Sequence, residues 1–173
     1  MKRLDFPPFD PALSFTTPGG AIVGYMVIDA ETATVMLDAN VNNRKVSPQT
    51  TEQYARALDR GDWPFTGDAL RFGPDGVVLD GQHRLLAIER TEKAMECLVV
   101  SGLPRSVQRY IDSGRKRSAA DQLNMDGVAN ATTMSAAARL MLSWEHWRGH
   151  SGKTLAVAPG NAEVSEYVLD HIG

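Results

Sequence analysis

The chain has 173 residues, 43% of them hydrophobic and 23% charged, a composition that excludes a largely disordered chain and allows one domain with or without an appended helical piece. Its formal net charge of -3 neither requires nor excludes nucleic acid, because a binding face needs only a local positive field. One cysteine, Cys97, excludes an intramolecular disulfide, and no stretch approaches the ~18 apolar residues of a membrane span or forms a signal-peptide core, so cytoplasmic residence without a membrane partner is the expectation.

Residues 1–20 carry Pro7, Pro8, Pro11, Pro18, Gly19 and Gly20 and are expected as an irregular arm. The apolar run from Ala21 to Ile28 predicts a first strand, and Asp29 predicts a cap for a short helix through Leu37. Ser47 followed by Pro48 is a helix start, a capping side chain and then a proline whose missing N–H costs nothing. Thr51, Tyr54, Ala55 and Leu58 then share a face and Gly61 fits a left-handed stop, which predicts a helix over 48–60. Ala69–Phe72 and Val77–Leu79 flank Gly73-Pro74-Asp75-Gly76 and predict a β-hairpin.

After Asp80 and Gly81, a helix is expected from Gln82 to Arg90, with Leu85, Leu86 and Ile88 inward. Glu96–Val100 reads as a buried strand that contains Cys97 as a structural thiol, and Ser106–Tyr110 as a short helical turn. Ser118 caps a helix to Met125 that Gly127 ends. A longer helix is expected over 130–148, where Met134, Ala137, Ala138, Met141 and Trp144 recur at helical spacing as core or interface. Residues 149–160 read as a linker, and Asn161 as the cap of a last helix to His171 with little to pack against, so the chain is expected to be a piece of a longer protein or to dock on a partner. The domain expectation is an arm over 1–20, an α/β (α+β) domain over 21–127 with a small mixed sheet and flanking helices, and a helical extension over 128–173.

The segment that carries chemistry is Asp80-Gly81-Gln82-His83-Arg84. A buried strand ends, a glycine permits a tight turn, and a helix begins, presenting N–H donors and the positive end of its dipole. Such a place suits a phosphate. His83 adds a proton donor and Arg84 a bidentate cation. Asp80 is a candidate to cap the helix, hold a metal or orient His83, which makes Asp80 and His83 the catalytic candidates. The plainer alternative is an N-cap, a turn glycine and a solvated arginine.

The order of Asn42-Asn43-Arg44, Gly61-Asp62-Trp63, the hairpin, Leu79-Asp80-Gly81-Gln82-His83-Arg84-Leu85 and Ile111-Asp112-Ser113-Gly114-Arg115-Lys116-Arg117-Ser118 resembles phage and bacterial proteins with a ParB-like N-terminal domain. That places residues 25–125 in the ParB/sulfiredoxin-like superfamily by resemblance. The Gly-x-His-Arg core is similar to the sulfiredoxin phosphate loop, which implies phosphate contact by Gly81, His83 and Arg84. It also places Gln82, itself a candidate for phosphate or nucleotide contact, where sulfiredoxin has its catalytic cysteine, so sulfiredoxin activity is not expected. Asn42 and Arg44 resemble the ParB element bordering the nucleotide pocket, with Asn43 in place of its proline. The resemblance implies a nucleoside triphosphate with Mg2+ as ligand, and DNA as partner. Shared fold does not choose among a clamp, a phosphotransfer or nuclease enzyme with a divalent metal, and a non-catalytic module that binds a host protein.

Between Arg105 and Arg117 lie five basic residues and one acid, Asp112. Arg115, Lys116 and Arg117 are the nucleic-acid candidates, because phosphate contacts use Arg, Lys and helix N-termini; a solvated charged turn is the alternative. Trp63 reads as core packing, with base stacking as the alternative. His146 and His150 lack the zinc-protease arrangement, and Gly152-Lys153-Thr154 lacks the upstream glycine of a P-loop. The Met/Trp helix leaves self-association or a host partner open.

Overall fold

The computed structural model describes residues 9–40, 43, 45–111, 117–149 and 158–171, in two units spanning Met1–Ser113 and Gly114–Gly173. The first unit is α+β. Its strands are β1 (Ser14–Thr16), β2 (Ile22–Ile28), β3 (Ala69–Phe72), β4 (Val78–Asp80) and β5 (Met95–Ser101), in the spatial order β1-β2-β5-β3-β4. The sheet is mixed, since β5 runs antiparallel to β2 and parallel to β3. Three helices accompany it, α1 (Ala30–Asp38), α2 (Pro48–Arg60) and α3 (Gln82–Thr91).

Alternation along β5 decides which face is covered. Met95, Cys97, Val99 and Ser101 are buried while Glu96 is exposed. Their cross-strand partners on β2 are Ile28, Met26, Gly24 and Ile22. Met95, Cys97, Val99 and Ile28 form one core with Ala33 and Met36 of α1, Ala55 and Leu58 of α2, and Leu85 and Ile88 of α3, so the three helices close a single face of the sheet. Gly24 is required by close approach: a Cβ there would lie 2.2 Å from Phe9 Cδ1, and the Phe9 ring packs against the core. The opposite face is thinly covered, with Val27 exposed and the Tyr25 ring edge-on to Phe65 at 5.6 Å.

Local signals account for most element ends. Asp29 Oδ1 accepts from the Thr32 N–H at 2.8 Å, and Ser47 Oγ caps α2 through Thr50 N–H. The hairpin turn closes through Gly73 N–H to Val77 O at 2.8 Å. The expected arm is irregular only in part, because Pro11–Leu13 form a 3-10 turn capped by Asp10 and Ser14–Thr16 pair with β2.

In the second unit α4 (Ala119–Met125), α5 (Ala131–Gly149) and α6 (Asn161–His171) share a core of Ala119, Leu123, Ala131, Ala138, Leu142, Val164 and Val168. Ser118 and Asp121 form a capping box at the start of α4. The unit begins before this helix rather than at 128, because Ala119 and Leu123 are buried with α5 and α6. Helix α6 does not lack packing partners as expected, since Val164 and Val168 are buried in that core. Asn161 opens α6 as its first residue instead of capping it; its side chain donates to Arg117 O and accepts from Arg139.

Candidate functional site

Asp80 ends β4 and Gly81 turns the chain directly into α3 with φ 98° and ψ 6°. Two demands select glycine there. The left-handed conformation disfavours any side chain, and a Cβ would lie 2.2 Å from Leu70 Cδ2, in the buried core. Gly81 therefore starts α3 without a side-chain cap.

The next three residues, Gln82, His83 and Arg84, are buried, which is unusual for polar side chains unless they are hydrogen-bonded. Each reaches a different part of the fold. Gln82 Oε1 accepts from Asn40 Nδ2 at 3.0 Å, just past α1. His83 Nε2 accepts from the Ser47 N–H at 2.9 Å, at the N-cap of α2. Arg84 donates to Asp68 O and Ala69 O, both at 2.8 Å, where β3 begins. The first turn of α3 thus ties together the α1–α2 connection and the entry to the hairpin.

Asp80 completes the brace. Its Oδ2 accepts from Arg71 at 2.5 Å and from Arg84 at 3.4 Å, and Arg71 is its cross-strand partner in the β3–β4 register. Among the candidate roles, Asp80 and Arg84 here act on each other and on the backbone, and His83 Nε2 carries no proton while it accepts from Ser47. Asn42, Arg44, Arg115 and Lys116 lie outside the described residues. Arg117 is described, and its carbonyl receives Asn161. Arg105 pairs with Asp75 at 2.7 Å, a contact that holds the Asp75 carboxyl below its ordinary pKa.

A cleft of about 240 Å³ opens in front of the loop, lined by Asn43, Leu79, Asp80, Gly81, Gln82, Gln108 and Ile111. Among the described residues of this lining, Asp80 is the charged side chain. Asn43 Nδ2 donates to Asn40 Oδ1 and to Val78 O, each at 2.9 Å, and Gln108 Nε2 donates to Leu79 O at 3.3 Å. Sequence reasoning missed Arg71, Asn40 and Gln108. The Arg71–Asp80 pairing was readable from hairpin register, whereas Asn40 and Gln108 reach the loop only through tertiary folding.

A second cavity of about 410 Å³ lies away from the loop, lined by residues 58–61, Trp63, Phe65 and 93–96. The Trp63 ring lies 4.5 Å from that of Tyr54, tilted by 46°, and packs on the core. Cys97 is buried, and burial pushes its thiol up to about 11, with the Arg84 charge pulling the other way. His146 Nε2 faces Glu163 at 3.2 Å, and His150 lies outside the described residues. Among the described residues no group of three or more His, Cys, Asp or Glu side chains is placed to hold a metal ion, and no helix is long and apolar enough to cross a membrane.

No protein-family model and no curated protein matches the chain. Among solved structures, the Pnob8-like ParB-N domain aligns at 13% identity and a TM-score of 0.31, over 87% of this chain and 62% of that one. The chain therefore spans less than two thirds of that solved chain.

Proposed function

We propose that the cleft in front of α3 binds the phosphate end of a nucleotide or of a nucleic-acid strand. The observation that supports this reading is the left-handed Gly81, which starts a ten-residue helix without a side-chain cap beside a cleft bordered by the amides of Asn43, Gln82 and Gln108. A helix N-terminus favours an anion through its N–H groups and its dipole. The sequence resemblance to ParB-like and sulfiredoxin phosphate loops points to the same ligand. In this reading Arg84, Asp80 and His83 are positioning residues that fix the turn, and the backbone around Gly81 with the cleft amides meets the phosphate.

The cleft volume of about 240 Å³ lies below the roughly 300–1,000 Å³ usual for a drug-sized ligand. It suits a phosphate group, with the sugar and base lying outside. A resident metal on Asp80 fits poorly, because two guanidinium groups already neutralise that carboxylate. Magnesium would arrive with the ligand's phosphates.

DNA is the second reading, favoured by the exposed Arg109 in the same short turn that brings Gln108 to the cleft. Calorimetric titration with CTP, ATP, GTP and ADP plus magnesium tests the first reading on wild type and on Gln108→Glu, which adds a negative charge at the exposed rim. Binding weakened tenfold or more in the variant is expected; no binding of any nucleotide by the wild type removes that reading. DNA affinity that falls steeply with salt would then carry the second.

A further inference from the structure

Helix α5 is apolar on two opposite faces. Ala131, Ala138 and Leu142 are buried in the core shared with α4 and α6. On the far side Thr133, Ala137, Leu140, Trp144 and Trp147 follow one another at alternating steps of four and three, and all five are exposed. That alternation is the spacing of a seam at which helices pair, and no charged residue interrupts it. The exposures are large: Leu140 74%, Trp144 57% and Trp147 61%, with Met141 beside them at 52%.

We propose that this outer seam is a homodimer interface, across which α5 of a second copy packs antiparallel. The area argues for a copy of the same chain. A Trp side chain offers up to about 250 Å², so the two indoles at these exposures present roughly 290 Å². Leu140 and Met141 add about 150 Å² at their exposures, taking about 120 Å² for a whole aliphatic side chain, the area that about 3 kcal/mol represents at about 25 cal/mol per Å². Two such seams remove about 900 Å² of apolar surface, the non-polar share of a standard interface of about 1,600 Å². An antiparallel arrangement sets the large end against the small one, Trp147 opposite Ala137 and Trp144 opposite Leu140. A parallel one would crowd four indoles at one end and leave Thr133 and Ala137 facing their equals, against the even packing of protein interiors. The two indoles already lie 5.1 Å apart at 35°, and Met141 Sδ is met by Tyr167 Oη at 3.9 Å from α6, so part of the face is ordered before association. The seam positions themselves carry no charge and the exposed Glu145 and Arg148 stand at its flanks, an apolar centre with a charged rim that suits a protein partner better than a nucleic acid.

Sedimentation equilibrium on the full chain tests the proposal. The expected result at micromolar concentration is a species of twice the 18.8 kDa chain mass. Trp144→Glu and Leu140→Glu are each expected to return it to monomer, weakening association at least a hundredfold, with helicity and melting temperature retained. A wild type that stays monomeric to about 100 μM, or a dimer that survives both substitutions, overturns the interface. So does a monomer that loses its fold on either substitution, because the seam is then covered within one chain. For orientation, Ala137→Cys in a Cys97→Ser background is expected to remain reduced under mild oxidation. A disulfide between two copies of Cys introduced at 137 overturns the antiparallel arrangement.

Discussion

Replacing Arg84 by alanine separates a brace from a ligand-gripping cation. The guanidinium is buried, donates to Asp68 O and Ala69 O at 2.8 Å, and lies 3.4 Å from Asp80 Oδ2. Hydrogen bonds to a charged group contribute about 1.5–3 kcal/mol each, and once Arg84 is gone Ala69 O keeps a long 3.5 Å contact from Arg71. Asp80 retains Arg71, so the loss of its pairing with Arg84 adds little. The substitution is therefore expected to destabilise the first unit by about 3–5 kcal/mol. For a unit of this size that corresponds to a fall in Tm of about 15–30 °C. Denaturant unfolding followed by circular dichroism, with the slope compared between variants, measures it directly. A cation serving only a ligand at the rim would cost less than about 0.5 kcal/mol on removal. A loss below about 1 kcal/mol, accompanied by loss of nucleotide binding, would refute the bracing role.

Two further outcomes follow from buried positions. Gly81→Ala places a Cβ 2.2 Å from Leu70 Cδ2 at φ 98° and is expected to cost about 2–4 kcal/mol from strain and core displacement together; a melting temperature within 3 °C of wild type would contradict the geometry. The raised Cys97 thiol means that the fold favours the protonated form. Its contribution is complete below the ordinary thiol value of about 9 and is lost as pH rises through about 11. Stability is expected to fall between pH 9 and 11 and to do so less in Cys97→Val, while rapid alkylation of the native protein at pH 8 would show that the thiol is not buried.

Much of the local architecture was legible in the sequence because its causes are local. Ser47-Pro48, Ser118 and the Gly73–Gly76 turn act within a few residues, and the helices and hairpin start where those signals stand. The parallel pairing of β3 with β5 was not legible, since it joins segments with no local signal for each other. The loop was found by its sequence, yet the direction of its side chains was not. Gln82, His83 and Arg84 were read as candidates for phosphate contact, and here their partners Asn40, Ser47 and Asp68 converge on them from distant segments. The four-residue spacing of Asp80 and Arg84 was the available clue to an inward pair. The Met/Trp pattern of α5 was read as one stripe, although Ala138 is buried while Ala137, Met141 and Trp144 are exposed, because two apolar faces overlap in sequence.

The strands that finish the sheet, β1 and β4, have three residues each. Among the described residues, β1 covers only Ile22–Gly24 of β2 and leaves Tyr25–Ile28 without a strand partner on that side. The two ends of the sheet therefore differ: a neighbouring chain meeting β4 finds a three-residue template, whereas one meeting the uncovered length of β2 finds a longer one, rich in Val and Ile.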